Sequence, residues 1–210
     1  MTGTPIAPPI APWADKIAWS GDARADMSAF LRRHGCPKTV EHCLAVGAKA
    51  RELAQAFDAD PGRAELGGWL HDIGAAIPNA QRVKAAQAFG LDILPQERQA
   101  PMLLHQKLGA FLARALFHID DEGVLSAIGC HTTLKMSALP LDKIVFLADK
   151  IAWDQPNAAP YLDDIRRALN RSLDAAVKVY IDYLWAHRDQ LLVVHPWFRD
   201  ALRSLSQTDQ

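Results

Sequence analysis

From about residue 20 onward, nearly every break in this chain is a helix break. Ser20 or Asp22 can cap a first helix, and Gly35 sits where a left-handed terminator belongs. Pro37 suits the first turn of a helix running to about Phe57, and Asp60-Pro61 repeats the cap-then-proline start ahead of GRAELGGWLHDIG. Asn79 can cap residues 80–89, with Gly90 as the stop. Further helices are predicted at about 101–117, 121–130, 140–152 and 161–188, with a short one after Pro196. Strand alternation is almost absent, Leu191–Val194 being the one short β-branched stretch. There is no internal repeat and no second linker. The pattern predicts an all-α fold: one helical domain over residues 21–205, preceded by a flexible Pro/Ala-rich arm over 1–20 whose apolar residues can dock on the body.

A helical domain buries one face of each helix, and here several of those faces carry the wrong chemistry for a core. His42 heads the stripe Val46, Ala50, Leu53, Phe57, at steps of three and four. His105 shares a face with Leu108, Gly109 and Leu112, and His131 lies one turn beyond Ala127 and Ile128. His71 is flanked by Gly67, Gly68 and Gly74, which let another backbone or a ligand approach closely. Asp72 follows His71, and Asp149 has Val145, Phe146, Ala152 and Trp153 as helical neighbours. One histidine on an apolar face is an ordinary hydrogen-bonded core residue. Four histidines and two aspartates over five helices would each need a separate buried partner, and the aspartates would need cations.

Divalent metal answers all six demands together. Six N/O ligands exceed one tetrahedral zinc site, and none of Cys36, Cys43 and Cys130 has the spacing to join them. Neighbouring helix residues point about 100° apart, so His71 and Asp72 can serve different parts of one cluster, with Asp72 bridging two ions. Imidazole-plus-carboxylate sets suit iron, manganese or zinc. Two ions ~3.5–4 Å apart suit hydrolysis of phosphoesters or phosphoanhydrides: they orient the phosphate, activate hydroxide and stabilise the leaving oxygen.

Composition narrows the partners. Twenty-three basic residues against 24 acidic ones give a net charge of −1, without the basic excess of a nucleic-acid binder. No apolar run reaches the ~18–20 residues that span a bilayer, and no basic start with an apolar core marks an export signal. Three cysteines, odd in number and without a CxxC, fit a reduced, cytoplasmic protein. The oligomeric state stays open, a homodimer included.

The ordered set His42, His71-Asp72, His105, His131, Asp149 resembles the HD superfamily of metal-dependent phosphohydrolases. More closely, the segments HGCPKTVEHCLAV, LGGWLHDIGAAIP, LLHQKLGAFLA, AIGCHTT, LDKIVFLADKI and LLVVHP are similar to the bacterial YqeK family of symmetrical diadenosine-tetraphosphate hydrolases. That resemblance implies an all-α HD bundle in which His42, His71, Asp72 and Asp149 hold one metal. Asp72 bridges to a second, held with His105 and His131, and is the catalytic carboxylate. The implied metal is iron, with manganese or another divalent ion as alternatives. The implied reaction cleaves diadenosine tetraphosphate into two ADP. Departures from the family pattern are Ala75, where a lysine is common, Leu134, where a glycine is usual, and KIAWDQPN after Asp149.

Thr132, Thr133 and Lys135 are candidates for phosphate contact; the plainer alternative is two capping hydroxyls and a solvated loop lysine. Lys143 and Lys150 read either as polyphosphate neutralisers or as surface charges. His195 reads as a packing or hydrogen-bonding residue, and Trp69, Trp153, Trp185 and Trp197 as core filling, with a base-binding wall as the alternative for Trp153. Two other functions fit the same ligands: an HD phosphohydrolase for another nucleotide or small phosphate ester, and a non-catalytic metal- or nucleotide-binding regulatory module. A dinuclear iron oxygenase on the same scaffold is a further alternative.

Overall fold

Aspartate and serine caps start four of the helices. Asp22 accepts from Ala25 N, Asp60 from Gly62 N and Arg63 N, Asp121 from Gly123 N and Val124 N, and Ser172 from Ala175 N. The computed structural model describes residues 10–152 and 159–207. Among them the α-helices are α1 Ala11–Ala14, α2 Ala23–Arg33, α3 Pro37–Ala56, α4 Pro61–Leu70, α5 Arg82–Ala88, α6 Pro95–Gln99, α7 Leu104–Leu116, α8 Glu122–Cys130, α9 Pro140–Ile151, α10 Leu162–Leu169, α11 Leu173–Ala186 and α12 Pro196–Gln207. No strand occurs among the described residues, Leu191–Val194 included. No helix is long and apolar enough to cross a membrane.

The all-α expectation holds, with local corrections. Gly35 and Gly90 take the left-handed conformation that ends their helices, at φ 78° and 70°. The helix expected over 161–188 is two helices, because the chain breaks at Asn170–Arg171 and Ser172 caps a new start. The helix after Pro196, expected to be short, runs twelve residues. The expected helix at 101–117 opens as a 3₁₀ turn, Pro101–Leu103, before α7 begins. α6 was not foreseen. Where the arm is described it lies against α2: Ile10 is buried, and His34 Nε2 donates to the Trp13 carbonyl at 3.0 Å. Trp153 lies outside the described residues, and Trp185 is exposed rather than core.

Two apolar clusters hold the helices. One gathers Met27, Phe30, Leu31, Val40, Leu70, Leu104, Leu108, Leu112 and Ile128 from α2, α3, α4, α7 and α8. The other gathers Val46, Ala50, Leu53, Ile144, Phe146, Leu147, Ile165, Val177, Ile181 and Phe198 from α3 and α9–α12. α3 feeds both, and His42 sits on it between Val40 and Val46. α3 and α4 cross at bare backbone. A Cβ on Gly68 would stand 2.6 Å from Gly47 Cα, closer than any side chain can sit. That crossing sets His71, at the end of α4, beside His42.

Candidate metal centre

His71 and His131 are each the residue that ends a helix, α4 and α8 respectively. Each turns its ring back onto the last turn. His71 Nδ1 donates to the Gly68 carbonyl at 2.8 Å, and His131 Nδ1 donates to the Ile128 carbonyl at 2.9 Å. Those carbonyls lack intrahelical partners, so the histidines satisfy them. His105, near the start of α7, does the same with the Met102 carbonyl at 2.6 Å. A carbonyl can only accept, so each of the three rings carries a proton on Nδ1 and turns Nε2 inward. A backbone carbonyl behind the ring is the usual support of a metal-binding histidine.

The inward nitrogens converge. His105 Nε2 lies 3.0 Å from His131 Nε2, and His71 Nε2 lies 3.2 Å from His42 Nε2. Asp149 Oδ1 stands 3.1 Å from His42 Nε2 and 3.7 Å from His71 Nε2, and Asp72 Oδ1 stands 3.6 Å from His105 Nε2. Two Nε2 atoms whose rings already carry the proton on Nδ1 cannot hydrogen-bond each other unless one ring takes a second proton. The His105–His131 pair therefore fits a metal better than a closed polar core. The ligand atoms form three overlapping groups: His42, His71 and Asp72; His71, His131 and Asp149; Asp72, His105 and His131. His71, Asp72 and His131 each belong to two of them, and of these three Asp72 alone has the two oxygens of a bridging carboxylate. All six side chains singled out in the sequence meet here.

Protonation divides the cluster: burial alone would lower His71, yet Cys43 and Asp149 hold it well above its usual pKa. Burial, reinforced by the neighbouring His71 and His105, holds His131 well below its usual pKa, and burial likewise lowers His105. Both rings are thus neutral donors. Burial alone would raise Asp149, yet Lys150, His42 and His71 hold its carboxyl well below the usual carboxylate range, so it stays ionised. Lys150 is 6% exposed and not the surface charge its sequence suggested. Its Nζ donates to Asp149 Oδ2 and to the His131 carbonyl, and it compensates a buried anion that would otherwise cost several kcal/mol.

The cluster opens into a cavity of about 560 Å³, a size that suits a nucleotide-sized ligand. Beyond the ligands its walls include Ala75, Arg82, Met102, Thr132, Lys150 and the three tyrosines. Thr132 Oγ1 lies 3.1 Å from His105 Nε2. The other two expected phosphate contacts point elsewhere. Thr133 is buried against Gln106 Nε2 and the Leu134 carbonyl, and Lys135 is drawn to Ser126 and Asp142, outside the cavity lining. Gln106, fully buried, organises this loop by accepting from Thr132 N and Thr133 N. Lys143 pairs with Asp174. His195 is buried against Glu97, in keeping with a hydrogen-bonding role.

Sequence reasoning passed over Arg82. Its Nε donates to the Ile77 carbonyl at 3.0 Å and Nη1 to the Met102 carbonyl at 2.8 Å, and no carboxylate pairs with it among the described residues. Two carbonyls thus hold a guanidinium over the cavity with an edge free for an anion.

The chain belongs to the HD-domain family: the family model matches residues 39–154. It is an HD-type phosphohydrolase; HD domains bind divalent metals, and its His/Asp groups are ones that could hold them. Among curated proteins it is 45% identical over 159 residues to the "Uncharacterized protein in pepC 5'region" of Lactococcus lactis subsp. cremoris, covering 76% of this chain and 80% of that one. It is 30% identical over 139 residues to the Bacillus subtilis "Bis(5'-nucleosyl)-tetraphosphatase, symmetrical", covering 65% and 72%. A crystal structure of a predicted HD superfamily hydrolase involved in NAD metabolism, from Clostridium acetobutylicum, superposes with a TM-score of 0.81 at 27% identity over 90% of this chain and 98% of the other.

Proposed function

We propose that this protein cleaves diadenosine tetraphosphate symmetrically into two ADP at a two-metal centre, with iron as the resident metal. The observation that carries the reading is the membership of Asp72 in both the His42–His71 group and the His105–His131 group, which supports two adjacent ion sites sharing one carboxylate. His42, His71, Asp72 and Asp149 would hold one ion, and Asp72, His105 and His131 the other. When bound, such a pair supplies charge at the phosphates and an activated water.

The chain's own residues do the rest. The Nδ1 donors of His71, His105 and His131 anchor the rings on backbone carbonyls, which preorganises them for substrate. Lys150 keeps Asp149 ionised. Arg82 grips a phosphate oxygen with its free edge, the role Ala75 cannot fill, and Thr132 donates beside His105. The relative of Bacillus subtilis carries a name with this activity, which supports the reading at moderate identity.

The test is product analysis. Iron- or manganese-loaded protein incubated with diadenosine tetraphosphate is expected to give ADP as the sole nucleotide. AMP plus ATP, a clear preference for a mononucleotide, or binding without turnover under either metal would overturn the assignment.

A further inference from the structure

All three tyrosines of the chain, Tyr161, Tyr180 and Tyr183, line the cavity of the metal centre. They come from the start of α10 and from α11, elements that supply no metal ligand. Their rings form one contiguous patch: Tyr161 stands edge-on to Tyr180 with centroids 4.8 Å apart, and lies 5.0 Å from Tyr183. The patch adjoins the ligands, because Lys150 Nζ, which bonds Asp149, lies 5.5 Å from the Tyr180 ring centroid.

A packing role explains part of this and leaves a remainder. Tyr161 is 8% exposed and touches the apolar cluster of α9–α12, as a phenylalanine would. Buried tyrosines, however, nearly always give their hydroxyl a partner. Here none of the three hydroxyls has one among the described residues, and none is sealed from solvent. Burial also pushes Tyr161 up to about 12 and raises Tyr180, so these hydroxyls remain donors throughout neutral pH. Aromatic faces with uncommitted donors beside a phosphate-handling centre match the chemistry of a nucleobase: a flat ring to stack, with acceptor nitrogens at its edge.

We propose that Tyr161, Tyr180 and Tyr183 are the specificity-determining wall that takes the nucleobase of the nucleotide whose phosphates lie at the metal centre. The proposal rests on the nucleotide reading above, and says which residues tell a nucleotide from a bare phosphoanhydride.

Calorimetric titration of manganese-loaded protein with ADP and with inorganic pyrophosphate tests it, since the two share the phosphoanhydride and differ by the nucleoside. ADP is expected to bind at least ~10-fold tighter, the scale of one base on an aromatic face. Tyr183→Leu should weaken ADP ~10-fold and leave pyrophosphate within ~2-fold, whereas Tyr183→Phe, which keeps the ring, should lose less than Tyr183→Leu. Unchanged pyrophosphate affinity shows that the variant is folded around its metals. ADP binding no tighter than pyrophosphate, or a parallel loss of both in Tyr183→Leu, overturns the proposal. Turnover of diadenosine tetraphosphate, followed on the same samples, separates the two readings. Base-dependent ADP binding without turnover would sink the hydrolase assignment and leave the tyrosine wall standing.

Discussion

A Cβ on Gly74 would stand 2.1 Å from the backbone carbonyl oxygen of His105 and 2.9 Å from Gly109 N. The 3₁₀ turn Ile73–Ala76, directly after His71-Asp72, thus rests on α7 through bare backbone, and that contact fixes Asp72 against His105. Gly74→Ala should push α7 away. Overpacking of ~2 kcal/mol corresponds to a melting temperature lower by roughly 4–8 °C in a domain of this size. The ion on the His105 side should be lost first, so elemental analysis is expected to show about one metal per chain in the variant and about two in the parent.

Asp72 and His195 separate ligation from packing. Asp72→Ala removes the shared ligand, and both metal content and turnover should collapse. His195→Ala leaves a buried Glu97 short of one partner, at 3.3 Å in the parent, and costs ~1–3 kcal/mol of stability. Its metal content should stay at the parental level. Metal analysis beside a thermal melt reads both, and turnover retained by Asp72→Ala would refute the shared-ligand mechanism.

The six converging side chains were legible because an α-helix converts spacing into a face, and a histidine or aspartate within an apolar stripe contradicts its surroundings. The glycines around His71 were legible for the same reason: Gly68 and Gly74 do permit the backbone contacts their spacing suggested. Arg82 and the tyrosines carried no such contradiction. In QRVKAA an arginine reads as a solvated charge, and Tyr180 and Tyr183, three apart, read as a core stripe. Which side of α5 or α11 faces a cavity is decided by tertiary packing. Lys150 misled for a related reason, since its partner is the adjacent Asp149 and adjacent helix residues usually diverge. The break between α10 and α11 was hidden because Asn170-Arg171-Ser172 contains neither glycine nor proline.

Leu134 stands at φ 56°, a left-handed conformation costly for a branched side chain, and is 1% exposed. Two effects oppose each other in Leu134→Gly. Relief of the backbone gains ~1–2 kcal/mol, while loss of the buried side chain costs ~2–5 kcal/mol. The packing loss wins, and denaturant titration should show the variant less stable by roughly 1–3 kcal/mol. Equal or greater stability would mean that Leu134 contributes little to the α9–α12 cluster.

Glu97 is fully buried and receives Lys107 Nζ and Leu94 N, both at 2.8 Å, besides His195. Burial alone would raise its pKa, but His195, Lys107 and the Leu94 amide hold it below the usual 4.5. A carboxyl depressed in the folded state stabilises fully above its unfolded value and loses that contribution as pH falls through the folded one. Stability should therefore fall below about pH 4.5. Glu97→Gln should lose ~3 kcal/mol near neutrality, and its deficit should shrink as the pH is lowered. A deficit constant with pH, measured by urea unfolding from pH 7 to 3, would show that the carboxylate charge is not what stabilises this junction.

Arg82 is fixed by the Ile77 and Met102 carbonyls, and the Met102 carbonyl also receives His105 Nδ1. Burial lowers the pKa of its guanidinium and Asp72 opposes that effect, so it remains a cation facing the cavity. Arg82→Met deletes one charged hydrogen bond to phosphate, an interaction worth ~1.5–3 kcal/mol. The KM for diadenosine tetraphosphate should rise roughly 10- to 100-fold with kcat changed far less, because the contact is made before and during reaction alike. Arg82→Lys keeps the charge but cannot hold both carbonyls and a phosphate, so it should fall between the two. Metal content is the control: if Arg82→Met loses metal as well as affinity, the arginine acts by bracing Met102 and His105 rather than by touching substrate.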